Sequence, residues 1–324
     1  MTSVKSAFTH AKTWTQDAKI NGLIPDAVIG IADSNGLIKT EVIGDVHLEA
    51  RYPLFSVTKP IVAIGAMREV ERGTINLNVP LQDIGVLVGA TGFKSVTLEH
   101  LLSHTSGISE PALDCEVSLN KLLLTAKQDF TPGTRFRYSS LAFAGVSTLL
   151  EHVSHRPLDN HLTELLSIAD AKKIDFDSSK AHPISSPKEA HFDAETFFSK
   201  HHPGAGLVGD VHSLLNLGTE MLRIFKGETS LLAADTLQDM LRPRTLGLPD
   251  LTPFDQRREY GLAWHIRSET QFSGHKIFGH SGWSGTQWWI CPETDLCLVL
   301  LTAVEDIDKS SIDFDQLLQA LTRH

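Results

Sequence analysis

Apolar positions recur at helical spacing over residues 4–21, where Phe8, Ala11, Trp14 and Ala18 share one stripe, and Pro25 closes the segment. Two short β-rich runs follow, Ala27 to Ala32 and Leu37 to Ile43. Asp33-Ser34-Asn35-Gly36 lies between them, and Asn-Gly is a strong hairpin signal. Ile61 to Met67 is apolar on nearly every side, which predicts a helix buried all round. Helical spacing returns over 97–103, 117–127, 141–153, 157–168, 208–225 and 234–241. After about residue 258 the pattern becomes strand-like: Tyr260 to Ile266, Lys276 to Gly279, Thr286 to Ile290 and Leu296 to Ala303 read as an antiparallel meander. A last helix is expected near Asp313 to Thr322. Ser178 to His202, rich in Ser, Pro, Lys and His, is the least predictable stretch and is expected to contain a long surface loop.

Strands at both ends with helices between them predict an α/β (α+β) chain. One antiparallel sheet is built from both termini and flanked by the terminal helices, and a mostly helical part is inserted. A single domain of residues 1–324 is expected, with an α/β part at about 1–75 and 255–324 and a helical part at about 76–254.

Composition narrows the partners. The chain has 324 residues, 41% of them hydrophobic and 21% charged, with a formal net charge of −10. Nucleic acid and anionic membrane surfaces repel such a chain. No apolar run approaches the roughly 18 residues of a membrane span, and the first residues lack a secretory pattern, so a cytoplasmic protein is expected. Three cysteines, Cys115, Cys291 and Cys297, fit reduced thiols. Cys291 and Cys297 flank the turn Pro292–Asp295, so a hairpin disulfide is open beside the favoured reading of two packed thiols.

Candidate chemistry begins at Ser56-Val57-Thr58-Lys59, the mouth of the buried helix. Residues three apart share a helix face, so Lys59 reaches the Ser56 hydroxyl, and N–H groups at a helix start can stabilise an oxyanion. The spacing alone says little, since Ser-x-x-Lys also occurs at Ser118/Lys121, Ser185/Lys188 and Ser273/Lys276. Context sets Ser56 apart, because it follows an extended run and opens a helix apolar enough to be core. Tyr138-Ser139-Ser140 precedes an amphipathic helix; a phenol beside an ammonium group ionises more readily and can take a serine proton. A tyrosine packed at a helix entry is the plainer alternative. His280-Ser281-Gly282 lies between two predicted strands, where small residues let a substrate approach the backbone, and the Trp283 N–H is a candidate second oxyanion donor beside that of Ser56. Trp264, Trp283, Trp288 and Trp289 cluster here, with sheet core as the plain expectation for Trp264 and Trp289.

Taken in order, Phe55-Ser56-Val57-Thr58-Lys59-Pro60, Leu101-Leu102-Ser103-His104-Thr105-Ser106-Gly107, Pro132-Gly133 to Tyr138-Ser139, Gly204-Ala205-Gly206-Leu207, Tyr260-Gly261-Leu262-Ala263-Trp264 and Gly279-His280-Ser281-Gly282 resemble the serine β-lactamase and penicillin-binding-protein superfamily. The resemblance is to its class C β-lactamase-like branch, which also holds esterases and D-amino-acid peptidases. It implies an α/β sandwich with a helical subdomain, an acyl-enzyme, and no metal or cofactor. By that resemblance Ser56 is the nucleophile, Lys59 and Tyr138 share the proton transfers, and His280 stands where many members have lysine. Two departures matter. The usual Lys-Thr-Gly or Lys-Ser-Gly begins here with His280, and the usual Tyr-x-Asn ends in Ser140. In β-lactamases those positions help hold the substrate, so Ser140, Ser281, Gly282 and Trp283 are expected to bind a small ester, amide or peptide, with β-lactam turnover weak or absent. D-peptide hydrolysis and β-lactam hydrolysis remain alternatives, as does a non-catalytic binding protein on the same fold.

Two other enzyme classes fit less well. No Gly-x-Ser-x-Gly elbow occurs, and strands do not alternate with helices as an α/β-hydrolase requires. A metal hydrolase would use His182, His191, His201 and His202 with Asp193 and Glu195, yet no His-Glu-x-x-His or Cys-x-x-Cys pattern accompanies them.

Overall fold

The six residues Leu296–Leu301 carry no polar side chain, so a strand there must be covered on both faces. The computed structural model describes residues 2–36, 39–89, 94–186, 192–252, 259–268, 270–305 and 312–322. Its elements run in chain order α1 (Thr2–Ile20), β1 (Ala27–Ala32), β2 (Lys39–Ile43), β3 (Tyr52–Pro53), a 3₁₀ turn (Phe55–Val57), α2 (Thr58–Glu71), a second 3₁₀ turn (Leu81–Ile84), α3 (Leu98–Leu102), α4 (Leu119–Thr125), α5 (Leu141–Ser154), α6 (Leu158–Ile168) and α7 (Ala194–Phe198). They continue with β4 (Val208–Gly209), α8 (Val211–Lys226), α9 (Ala234–Met240), β5 (Glu259–Tyr260), β6 (His265–Arg267), a 3₁₀ turn (Thr270–Phe272), β7 (Ile277–Ser281), β8 (Gln287–Cys291), β9 (Leu296–Leu301), α10 (Phe314–Leu318) and a last 3₁₀ turn (Gln319–Thr322).

The main sheet has the order β2-β1-β9-β8-β7-β6-β5. Every neighbouring pair is antiparallel, and β1 from the N-terminal end pairs with β9 from the C-terminal end, Gly30 opposite Val299. The expected sheet from both termini is therefore present. Period-2 alternation sorts its side chains into two cores. Ala27, Ile29, Ile31, Trp289, Leu298 and Leu300 face α1 and α10, while Val28, Trp288, Ile290, Val299 and Leu301 face the helices of the inserted part, α8 first. Trp264 and Trp289 are sheet core, as is Trp288. Helix α8 lies close against the strands because Gly218 has no side chain; a Cβ there would stand 2.2 Å from the Cys297 sulfur.

The structure corrects one sequence expectation and sharpens two. Tyr260 to Ile266 is not one strand but two, β5 and β6, divided by a turn in which Gly261 N–H donates to Trp264 O at 2.9 Å. The N–H groups of Leu262 and Ala263 point away from the sheet, to the carbonyls of Met240 and Leu102, and Ala263 takes a positive φ of 65°. Cys291 and Cys297 do not face each other: Cys291 pairs with Leu296 and Cys297 with Ile290, so the sulfurs lie on opposite faces. Burial raises the two thiols to about 11 and about 12. The segment before His202 is also more than loop, since it contains α7 with Phe197 fully buried. Residues 37 and 38 of the expected second strand lie outside the described residues.

Candidate active site

The site forms where β7, the turn before α2 and the entry to α5 converge. Leu54 N–H donates to Leu207 O at 2.9 Å, tying the turn to the Gly204–Leu207 stretch, and the Leu207 N–H in turn donates to Thr58 Oγ1. Phe55 then takes a positive φ of 43°, a conformation that costs a non-glycine residue about 1 kcal/mol or more. It throws Ser56 into a 3₁₀ turn just ahead of α2, with Ser56 half-buried at the surface. Behind it α2 is buried from Thr58 to Met67, which puts Lys59 wholly inside the protein.

A buried ammonium group needs acceptors. Lys59 Nζ has three: Ser56 Oγ at 3.0 Å, Ser140 Oγ at 3.0 Å and Gly204 O at 2.8 Å. Its Nζ also sits 4.6 Å from the centroid of the Tyr138 ring and 5.6 Å from that of Phe143. Burial disfavours the charged form and pulls the lysine down to about 7, against a smaller opposing pull from Glu110. The free amine is therefore accessible near neutral pH, and it lies within hydrogen-bond reach of the Ser56 hydroxyl.

The half-buried Tyr138 comes from the loop before α5, and His280 from β7, its side chain almost fully buried. The Tyr138 hydroxyl lies 3.4 Å from His280 Nε2. His280 Nδ1 lies 2.8 Å from the Ser281 carbonyl, which can only accept, so Nδ1 carries a proton. Ser281 points to the opposite side of the strand, where its hydroxyl donates to Gln287 Oε1 at 2.8 Å. Gly282 lies directly under the serine turn: a Cβ there would be 2.7 Å from Leu54 O. Trp283 packs on Phe55, ring centroids 5.2 Å apart. The structure thus brings Ser56, Lys59, Tyr138, Ser140, His280, Gly282 and Trp283 together and turns the Ser281 hydroxyl away.

Three further residues support the site: Glu110 was not singled out from the sequence, His104 stood only within a resemblance motif, and His202 was weighed only as a metal ligand. His104 is fully buried with a positive φ of 60°; its Nδ1 accepts from Ser139 N–H at 3.1 Å and its ring stacks on Tyr138 at 4.3 Å. Burial, then the nearby Lys59 charge, holds it well below the usual histidine range, and so neutral. Glu110 accepts from Ser139 Oγ at 2.8 Å and Leu141 N–H at 3.1 Å, bracketing the Ser140 that Lys59 uses. His202 Nδ1 accepts from Gly204 N–H at 3.0 Å and so orients the Gly204 carbonyl; burial lowers it to about 3. In all three cases the bond is to backbone or side chain far along the chain or in irregular loop, where no periodicity marks it.

The candidate metal residues disperse. His182 stacks on Tyr52 and pairs with Asp26, His201 stacks on Phe176, and Asp193 caps α7; His191 lies outside the described residues. Among the described residues no three His, Cys, Asp or Glu side chains gather as a metal site, and no helix is long and apolar enough to cross a membrane.

The Beta-lactamase family pattern matches residues 11–321. The chain belongs to that family. It is 29% identical over 150 residues to Esterase EstB of Burkholderia gladioli, a match that spans 39% of this chain and 38% of that protein. Among solved structures it is similar to EstCE1, described as a hydrolase with promiscuous acyltransferase activity (TM-score 0.78, 21% identity, all of both chains), and to a D-stereospecific amidohydrolase from Streptomyces sp. (TM-score 0.79, 20% identity, 97% of this chain and 98% of that one). It is also similar to an octameric penicillin-binding protein homologue from Pyrococcus abyssi (TM-score 0.75, 18% identity, 90% of this chain and 72% of that one). These likenesses establish the β-lactamase and transpeptidase fold, with its antiparallel sheet and helices.

Proposed function

We propose that this member of the Beta-lactamase family is a serine hydrolase that forms an acyl-enzyme on Ser56 and cleaves small esters in preference to β-lactams, with simple amides and peptides as further substrates. One observation carries the reading: a fully buried lysine, brought down to about 7, within 3.0 Å of a half-exposed serine hydroxyl. The likeness to Esterase EstB supports the ester preference.

In the reactive form Lys59 is neutral and the hydrogen bond reverses, Ser56 Oγ–H donating to Nζ. As the proton moves to Lys59, Oγ bonds to the substrate carbonyl carbon and the carbonyl π electrons pass to oxygen. The backbone N–H groups of Ser56 and Trp283 are the candidate donors to that oxyanion, each an effect worth about 3 kcal/mol in comparable sites. When the intermediate collapses, the C–O or C–N bond breaks and the leaving group takes a proton through Tyr138, which exchanges with Lys59 and His280. Water then attacks the acyl carbon as its proton passes to Lys59; the C–Oγ bond breaks, Oγ takes that proton back from Lys59, and the carboxylic acid leaves. Ser140 serves as one of the acceptors that hold the ammonium form of Lys59. The ester preference follows from His280 and Ser140, which offer a substrate carboxylate and amide less than lysine and asparagine would.

Hydrolysis of p-nitrophenyl butyrate by the wild type, Ser56→Ala and Lys59→Ala tests this. Loss of at least about 10³-fold in kcat/KM is expected for both variants, because coupled residues fail together. Equal rates for wild type and Ser56→Ala would leave the fold as a binding protein.

A further inference from the structure

Beside Ser56 stands a third apolar cluster, separate from both sheet cores, in which five rings pack with Leu113, Ile184 and Ala205. Phe55 and Phe197 are fully buried and stack 5.3 Å apart; Phe192, Phe198 and Trp283 are half-buried around them. Trp283 lies 5.2 Å from Phe55 and 4.8 Å from Phe192, centroid to centroid. These rings hang from the two backbone segments assigned to the oxyanion: Phe55 immediately precedes Ser56, and Trp283 supplies the second N–H. The buried pair is a foundation, and Phe192 and Trp283 are the part that meets solvent. A different set of rings, His104, Tyr260 and His280, surrounds Tyr138. Since the leaving group departs towards Tyr138, the carbonyl's other substituent, the acyl group, falls on the Phe55 side.

Among the described residues, the charges around this cluster favour a neutral occupant. Asp193 caps α7 through Thr196 N–H and Oγ1, and its own N–H donates to the Asp114 carboxylate at 3.0 Å. Lys200 is turned to the carbonyls of Leu113 and Cys115, and His202 is held uncharged by burial. An anionic acyl group would meet carboxylates there.

We propose that the aromatic face beside Ser56 is an acyl-binding wall that selects neutral esters with an aromatic or bulky apolar acyl group, with Phe192 and Trp283 as its specificity-determining contacts. The inference rests on the assignment of Ser56 as nucleophile.

Three esters with one leaving group separate the acyl contribution: p-nitrophenyl acetate, phenylacetate and hemisuccinate, each kcat/KM divided by the ester's rate with hydroxide. The wall predicts phenylacetate above acetate by roughly tenfold or more, the gain from burying a phenyl ring, and hemisuccinate lowest. Phe192→Ala should cut the phenylacetate-to-acetate ratio several-fold, and Phe192→Leu by less. A wild-type ratio at or below one overturns the proposal whether or not the variants fold, as does an unchanged ratio in a folded Phe192 variant. Mass mapping of the acyl adduct in the same samples keeps the two claims apart. An adduct on Ser56 with a flat ratio sinks the wall alone, and the absence of a Ser56 adduct sinks the nucleophile assignment.

Discussion

In the proposed reaction Lys59 is the base because it is both buried and satisfied. Its ammonium form has three acceptors, so the protein tolerates the charge, yet the lack of water brings the lysine down to about 7. Only the neutral amine can accept the Ser56 proton. The kcat/KM for a neutral ester should therefore rise with pH to a half-maximum near 7, and Lys59→Arg, which stays charged, should lose activity across the range. A profile flat from pH 5 to 9 would remove Lys59 from the base role. At this scale Ser56, Lys59, Tyr138 and His280 were legible not from any one local motif but from the context of the buried helix and the order in which the resembling stretches follow one another. Glu110, His104 and His202 were not, because what they hold is the backbone of Ser139, Leu141 and Gly204, and a hydrogen bond of that kind leaves no pattern in the chain.

Among elements, the end of β7 and the turn before α2 must touch for the two proposed oxyanion N–H groups to share one oxygen. Gly282 allows the contact. With a Cβ 2.7 Å from Leu54 O, Gly282→Ala must push the strand end from the serine turn. The expected result is a fall in kcat on the order of 10²-fold with the far-ultraviolet circular dichroism spectrum unchanged. A kcat within twofold of wild type would separate the turn from catalysis. The loop leading towards α7 is anchored by another contact: His182 stacks 4.3 Å from Tyr52, and Asp26 receives the Tyr52 hydroxyl at 2.6 Å and pairs with His182 at 3.4 Å. The Asp26 bond raises His182, so its contribution is full below pH 6.5 and fades as pH climbs through the raised value. Asp26 is lowered by His182 and Tyr52 against the cost of burial, so its contribution is present above 3.8 and fades in acid. Asp26→Asn should therefore lower the melting temperature more at pH 5.5 than at pH 8.5, and an equal loss at both would deny the ion pair. The sequence placed His182 in a loop but could not show this partner, since Asp26 lies at the far end of the chain. The broken strand at Gly261–Trp264 was hidden for the same reason: the carbonyls of Met240 and Leu102, not its own pattern, draw those N–H groups from the sheet.

For the molecule as a whole, the order of elements was legible because both periods were strong. The two-sided apolar runs of β1, β8 and β9 demand cover on both faces, and the helices needed to provide it are present in the chain. Which strands pair was less evident, although ends rich in strands with helices between them leave β1 against β9 as the simple closure. The site opens at the seam between sheet and helical part, and there the whole fold bears a cost. A lysine with a lowered folded pKa binds its proton more weakly than in the unfolded chain, so its penalty is full below pH 7 and vanishes as pH rises towards 10.5. That penalty is on the order of 5 kcal/mol at its fullest. Lys59→Met, inactive but apolar, should gain stability relative to wild type as pH falls from 10 to 7 in urea unfolding. A difference that does not change with pH would mean that Lys59 is not depressed by burial.

The account stands most directly on where the acyl group is caught. Wild type and Ser56→Ala are quenched in acid within the first turnovers of p-nitrophenyl butyrate and read by intact mass and peptide mapping. The wild type should carry one butyryl group on Ser56, and Ser56→Ala none. An adduct on any other residue, or the same adduct in Ser56→Ala, would contradict the assignment.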